Sequence, residues 1–343
     1  MPRGVTGQLG PTKPCNSHLA AAGLPLSLIH EAYAKLQLEL PRSPCFEVQD
    51  AEVRPGRLFV KAENLMPTGS FKIRGATYRL LLLSEEERRR GVVAYSTGNH
   101  AQAVAKAARD IGVKATIVMS PDVPALKIRS TEGWGARVLM AEPTSHARRA
   151  MAEDLAARNQ MILIPPYDDP HIMAGQASIG LELLEQLRDA QNLCVYVPIG
   201  GGGLIAGIAA ALKQTRSDVR IIGVEPELEN DAWMSFRSGK LTSLKGPSGS
   251  IADALKVQQL GQMTWPNIRL YVDDIETVSE TEIADASLYS FSALKLVVEP
   301  GGAVALAAAR RACTTERHTA LAILCGGNVS IERLQHLRSE AQR

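Results

Sequence analysis

The sequence predicts an α/β protein with two mainly parallel sheets, each flanked by helices. Short apolar runs of strand length alternate with amphipathic stretches of helical length through most of the 343 residues. A turn of four glycines, Gly200–Gly203, joins one such strand to the helix that follows. With 45% hydrophobic and 22% charged residues, the chain is a globular protein long enough for one large or two modest domains.

The elements follow in order. Leu58–Lys61 reads as a strand and Ala76–Leu83 as a helix. Ser84 and Glu87 form a capping box that opens the charged, solvent-facing helix Glu85–Arg90. Gly91–Ser96, Ala115–Met119, Arg137–Met140 and Met161–Ile164 are strands. Between them lie helices over Ala101–Ile111, Val123–Glu132 and Ser145–Ala157. The pattern resumes with strand Cys194–Ile199, a helix from Leu204, strand Val219–Val224 and a last strand Ala320–Leu324. The block Gly91–Ile164 is compact enough to be a small domain inserted into a larger one.

A net charge of +2 without a one-sided basic tract argues against nucleic-acid and membrane-surface partners. No apolar run reaches membrane-spanning length. Five cysteines without CxxC spacing argue against a disulfide framework or a structural zinc site, and fit a reducing cytoplasmic setting. Residues 1–16 lack periodicity and predict a poorly ordered arm.

Four segments carry chemistry. Lys72, between Phe71 and Arg74-Gly75, lies where a strand gives way to a helix, so its amine would point into a cleft. A desolvated lysine has a lowered pKa and forms Schiff bases. Gly200, Gly201, Gly202, Gly203 and Leu204 offer backbone amides and a helix N-terminus to a phosphate. Gly201, Gly203 and Ala206 also fit a GxGxxA dinucleotide fingerprint with Glu225 about twenty residues on, so an NAD-dependent oxidoreductase is a rival reading of this segment. Ser96-Thr-Gly-Asn-His-Ala-Gln102 follows a strand and opens a helix, offering hydroxyls and amides to a carboxylate. Cys325-Gly-Gly-Asn328 ends a strand that reads as buried, where a cysteine is ordinarily a core residue. A further run, Glu225, Glu227, Glu229 and Asp231, leaves a strand as an acidic loop of the kind that is ordinarily solvated.

The run Lys61-Ala-Glu-Asn-Leu-Met-Pro-Thr-Gly-Ser-Phe-Lys-Ile-Arg-Gly-Ala76 closely resembles the lysine motif of pyridoxal-phosphate enzymes of the tryptophan synthase β-subunit fold (fold type II), nearest to serine/threonine dehydratases and serine racemase. The other segments resemble that family in the same order, from about Leu26 to Ser330. Pro166–Pro170 with Ala174–Ser178, Ser250–Asp253 and Val298–Ala303 add shorter matches. The resemblance implies a discontinuous large cofactor-binding domain (1–84 and 165–343), a small mobile substrate-binding domain (85–164), no C-terminal regulatory domain, and a homodimer.

The resemblance also implies the site. Lys72 would bind pyridoxal 5'-phosphate as a Schiff base and act as the base, with Phe71 beside it. Gly200–Gly203 and Leu204 would hold the phosphate, Glu299 would lie near the ring, and Cys325 would face the ring nitrogen. Ser96, Thr97, Gly98, Asn99 and His100 would hold the substrate carboxylate, Asn99 also meeting the cofactor's phenolic oxygen. Thr97 replaces a serine that supplies a proton on the opposite face in serine racemase. Its stiffer β-branched side chain favours a one-faced eliminase over a racemase. Glu225, Glu229 (through its carbonyl) and Asp231 would bind Mg2+ or Ca2+.

The implied reaction is β-elimination from an amino-acid substrate, L-threonine or L-serine, to a 2-oxo acid and ammonia. A 3-hydroxyaspartate ammonia-lyase and a serine racemase are the alternatives. Arg148 resembles an arginine that meets a second carboxylate, whereas Val257 stands where serine racemase has a polar residue and argues for a more apolar pocket.

Overall fold

Two separate sheets carry the chain in the computed structural model, which describes residues 23–50, 55–123, 125–246, 248–315 and 318–341. The arm expected over 1–16 lies outside the described residues. Helix α1 (Leu26–Glu39) leads to a short edge strand β1 (Cys45–Glu47), which pairs antiparallel with β2 (Arg57–Ala62). Two tight turns, Glu63–Leu65 and Pro67–Gly69, deliver the chain to α2 (Lys72–Leu81). The next block runs α3 (Glu85–Arg90), β3 (Val92–Tyr95), α4 (Asn99–Asp110), β4 (Ala115–Met119), α5 (Ala125–Gly133), β5 (Arg137–Met140), α6 (Ser145–Asn159) and β6 (Ile162–Leu163). The chain then alternates again through α7 (Pro170–Gln186), β7 (Leu193–Pro198), α8 (Gly203–Thr215), β8 (Arg220–Pro226) and α9 (Asp231–Ser238). It closes with α10 (Thr264–Tyr271), β9 (Asp274–Val278), α11 (Glu280–Ser292), α12 (Pro300–Thr315), β10 (Thr319–Leu324) and α13 (Ile331–Ala341).

The larger sheet has the order β1-β2-β10-β7-β8-β9, parallel from β2 onward. The smaller has the order β5-β4-β3-β6, all parallel. Parallel sheets need cover on both faces, and the larger sheet has it. One core holds Val195, Ile205, Ile221 and Leu321 under α1, α7, α8 and α10. The other holds Val60, Val224, Ala322 and Leu324 under α11, α12 and α13. Among the described residues no helix is long and apolar enough to cross a membrane.

Helix α2 serves both sheets. Ile73, Ala76 and Leu80 join the core of the small sheet, whereas Tyr78 joins that of the large one. The helix begins at Lys72 and not at Ala76, so Gly75 lies inside it and does not end a loop. A Cβ on Gly175 of α7 would lie 2.6 Å from the Gly75 Cα, so the two helices cross backbone to backbone.

That crossing brings buried charges together. Arg74, 2% exposed, donates to Glu63 from Nε (2.8 Å) and Nη2 (2.9 Å), and to Glu182 of α7 from Nη1 (2.7 Å) and Nη2 (3.0 Å). Lys61, fully buried, adds a 2.5 Å bond to Glu182. Burial works to raise the Glu182 pKa, but Arg74 and Lys61 outweigh it and hold the carboxyl below its ordinary range. Burial pushes the Lys61 amine down despite its two acidic neighbours. Two carboxylates face two cations in the dry interior, so removing one partner strands the others.

Arg74→Met should therefore lower the unfolding free energy by about 3–5 kcal/mol. Arg42→Met, at the half-exposed Arg42–Glu185 pair, should lower it by less than about 1 kcal/mol. Denaturant titration of both variants checks the contrast, and equal losses would contradict it.

Candidate active site

The loops that leave β2, β10 and β7 meet at the C-terminal edge of three neighbouring strands, where open parallel sheets form their binding crevice. Thr68 (φ 72°) and Gly69 (φ 71°) are successive left-handed residues that reverse the chain after β2. Thr68 is strained there, and Asn328 Nδ2 steadies it by donating to its carbonyl (2.8 Å). Ser70 then bridges to Gly326, and the Phe71 N–H donates to the Cys325 carbonyl (3.1 Å). Lys72 is thereby fixed beside the end of β10.

The Lys72 Nζ donates to the Pro166 carbonyl (2.6 Å) and lies 5.1 Å from the centre of the Phe71 ring. Burial lowers its pKa to about 8, with Cys325 opposing slightly. The Cys325 thiol, 3% exposed, is pushed up by burial and by Glu299, so it stays protonated and donates to the Gly301 carbonyl (3.6 Å). Glu299, also 3% exposed, has its pKa raised to about 7 by burial and by the Asp253 charge. Asn99 joins it to the small sheet: its Nδ2 donates to Glu299 Oε1 (2.5 Å), and its Oδ1 accepts from Asn328 (2.6 Å).

The glycine turn sits at the end of β7. Gly202 adopts φ 88°, and α8 starts without a side-chain cap, which leaves its first amides free. Thr264 Oγ1 donates to the Gly201 carbonyl (2.8 Å) and holds the turn from below.

Ser96, Thr97 and Gly98 are half-exposed at the end of β3, and α4 also begins uncapped. His100 differs from them. Its ring is 3% exposed and turned inward, donating from Nε2 to the Ile164 carbonyl (3.0 Å). Burial and the Lys72 charge lower its pKa to about 3, so it is neutral. Only its backbone amide is left for a carboxylate in the cleft. Arg148, half-buried on α6, donates to Ser145 Oγ (2.9 Å) and has no carboxylate in ion-pair distance among the described residues. Burial lowers its pKa, with Asp122 opposing.

Of the acidic run only Glu227 is exposed. Glu225, Glu229 and Asp231 are 1%, 3% and 1% exposed. Glu225 accepts from the Ala232 (3.2 Å) and Trp233 (2.7 Å) amides, so it caps α9, and its burial puts it out of reach of a ribose. Burial and Asp231 raise its pKa, and burial and Glu229 raise Asp231 to about 7. Among the described residues, Asp231 Oδ2 and Glu229 Oε2 are buried without a hydrogen-bond partner. Among the described residues no three acidic, imidazole or thiol side chains form a ready metal cluster. The run offers at most two carboxylates and a carbonyl.

Tyr167 was not singled out by the sequence reading. It follows the prolines after β6 and packs against Gly201 and Gly203. The signal available was a bulky aromatic between two prolines and two aspartates, in a segment read only as a family match.

The sequence profile described as "Pyridoxal-phosphate dependent enzyme" matches residues 36–326. The chain is 39% identical over 287 residues to the L-threonine ammonia-lyase of Thermotoga maritima, covering 84% of this chain and 71% of that one. It is 41% identical over 298 residues to an L-threo-3-hydroxyaspartate ammonia-lyase from a Pseudomonas species, covering 86% and 92%. The structure of maize serine racemase superposes with a TM-score of 0.85 at 34% identity, over 92% of this chain and 96% of that one.

The lowered Lys72 pKa has a direct consequence. The unfolded chain binds more protons than the folded one between about pH 8 and 10.5, so this residue's contribution to stability rises with pH across that window. The same sign governs reactivity, because the neutral amine is the nucleophile. In cofactor-free protein, reductive alkylation of Lys72 should have its midpoint near pH 8, well below that of exposed lysines. Peptide mapping by mass spectrometry reads this out, and a midpoint above pH 10 would show that the amine is not desolvated.

Proposed function

The chain belongs to the pyridoxal-phosphate dependent enzyme family, and from that premise we propose that it releases ammonia from L-threonine and L-serine, leaving the 2-oxo acid. It is a lyase that uses pyridoxal 5'-phosphate. The observation that carries the substrate reading is the pairing of a desolvated Lys72 amine, of pKa about 8, with the uncapped carboxylate loop Ser96–Asn99 of the small sheet.

The residues present fit the cofactor. The free amides at the start of α8 support a phosphate at Gly200–Leu204. The buried amine of Lys72 suits an aldehyde, and the neutral thiol of Cys325 suits an unprotonated ring nitrogen. When bound, the cofactor supplies the electron sink for charge left at the substrate Cα. Lys72 Nζ is the base that takes the α-proton, since a pKa near the working pH lets it both accept and return a proton. Ser96, Thr97 and the amides of Asn99 and His100 hold the carboxylate, while Asn99 keeps that loop tied to Glu299. Thr97 supplies no efficient acid on the opposite face, which favours elimination over racemisation.

Arg148 supports a second reading. It is half-buried and, among the described residues, has no carboxylate in ion-pair distance, as a residue waiting for a dicarboxylic substrate would be. On that reading 3-hydroxyaspartate is the better substrate. Half-buried Val257 speaks against it.

The remaining assignments are proposals of the same standing. Residues 1–84 and 165–343 form the large cofactor-binding domain, and 85–164 a small mobile one that closes on the substrate. A cytoplasmic homodimer is proposed, in which exposed Leu65 and Val297 take part; the Asn64–Val297 bond (3.0 Å) holds them on adjoining loops. Glu225, Asp231 and the Glu229 carbonyl bind Mg2+ or Ca2+, whose charge would relieve the partnerless oxygens buried there.

Keto-acid release from L-threonine, L-serine and 3-hydroxyaspartate, assayed in parallel, tests the function. Lys72→Ala should lower turnover by about 10⁴-fold or more. If 3-hydroxyaspartate is preferred, Arg148→Met should raise its KM at least about tenfold and leave threonine unchanged. No keto acid from any of the three would overturn the lyase reading of this substrate class.

The cation assignment is tested by thermal unfolding. A hundredfold excess of Mg2+ or Ca2+ over Kd should raise Tm by about 5 °C, and Asp231→Asn should abolish the shift.

A further inference from the structure

The segment Ile164–Asp169 joins the small sheet to α7, and nearly every group on it is engaged. The Ile164 carbonyl accepts from His100, and the Pro166 carbonyl accepts from Lys72. Asp168 accepts from the amides of Gln262 (3.0 Å) and Met263 (2.8 Å), and Asp169 caps α7 through His171 (2.8 Å) and Ile172 (2.9 Å). Tyr167 lies between these contacts and faces the glycine turn. A Cβ on Gly201 would come 2.4 Å from its ring carbons, and one on Gly203 would come 2.9 Å from its Cβ.

Gly201 and Gly203 thus lack side chains for a steric reason separate from any anion. Glycine is the least conformationally restricted residue, so four in a row make a loose cradle unless something holds them. One side of this turn is held by Thr264 Oγ1 and the Gly261 amide, both donating to the Gly201 carbonyl (2.8 and 3.2 Å). The 261–263 stretch that supplies this hold is itself fixed by Asp168. The other side is held by the Tyr167 ring.

We propose that Tyr167 is a positioning residue: its ring braces the glycine turn against the segment that receives Lys72, so one short stretch of chain fixes the phosphate end and the amine end of the cofactor site. A rigid aromatic does this at small entropic loss, and a cradle held in shape binds its anion more tightly. The phenol brings no opposing charge, because burial keeps its pKa near 12. The proposal rests on the phosphate lying at the glycine turn.

The test compares two probes, pyridoxal 5'-phosphate and pyridoxal, which lacks the phosphate. Their Kd values are measured by equilibrium dialysis on wild type, Tyr167→Ala, Tyr167→Leu and Tyr167→Phe. The Ala and Leu variants should bind pyridoxal 5'-phosphate at least about tenfold more weakly and pyridoxal within about twofold of wild type. Tyr167→Phe, which keeps the ring, should match wild type with both probes. Unchanged phosphate-form affinity in Ala and Leu would overturn the proposal. So would equal weakening of both probes, the mark of a general structural role, or a Phe variant as weak as Ala. Tyr167→Leu carries the test should Ala not fold. A wild type that binds both probes alike would remove the phosphate assignment itself, and the proposal with it.

Discussion

The Arg74 guanidinium, shared between Glu63 and Glu182, is the constraint on which the cleft depends. Glu63 lies at the start of the loop that leaves β2, and Arg74 lies two residues past Lys72 in α2. One buried ion pair therefore clamps both ends of the lysine loop. Glu182 ties that clamp to α7, and α7 can be reached only because Gly75 and Gly175 let the two backbones touch. With the clamp in place, the strained turn at Thr68 and the bridge from Ser70 to Gly326 have fixed anchors. A buried pair of this kind is weak evidence for net stability and better evidence for a specified geometry.

Desolvation then sets the chemistry of the cleft. It pushes every ionisable group there toward its neutral form: Lys72 down to about 8, His100 to about 3, Glu299 up to about 7 and the Cys325 thiol up. An amine near neutrality can exchange protons at working pH. Nearby, Lys127 and Arg333 both pair with Asp253 (3.2 and 2.9 Å). They leave the floor to hydrogen bonds through Asn99 and Asn328.

Much of this was legible in the sequence, for identifiable reasons. Strand β4 falls at the residues its apolar run predicts, because a central parallel strand is largely buried; β5 falls at its predicted residues from the run Val138–Met140, although it is an edge strand that buries none of its four. Strands β1 and β9 left no such trace: β1 buries none of its three residues, and β9 buries only Ile275 and Val278. The start of α2 was missed because Gly75 reads as a turn, and only the contact with α7 explains a glycine inside a helix. The same limit applied to charge. Nothing local says that Arg74 and Lys61 are buried, or that Glu225, Glu229 and Asp231 are packed away from water while Glu227 is not. The motif residues were visible from their order along the chain, but Tyr167 acts through packing on a distant turn, which no local pattern encodes.

Strand β10 lies between β2 and β7 in the large sheet, although Thr319 pairs with Arg57 and with Leu193. The slot between β2 and β7 is thus filled by the last of the ten described strands to leave the ribosome. Until it arrives, β2 has only its short antiparallel neighbour, and Phe71 has no Cys325 carbonyl to meet. Lysine loop and glycine turn cannot approach their final separation during most of synthesis. Such long-range pairing makes for slow folding with exposed strand edges, so this chain should depend more than a local-contact fold on protection while nascent. It also means that the lysine loop and the glycine turn are brought together only once β10 has been made.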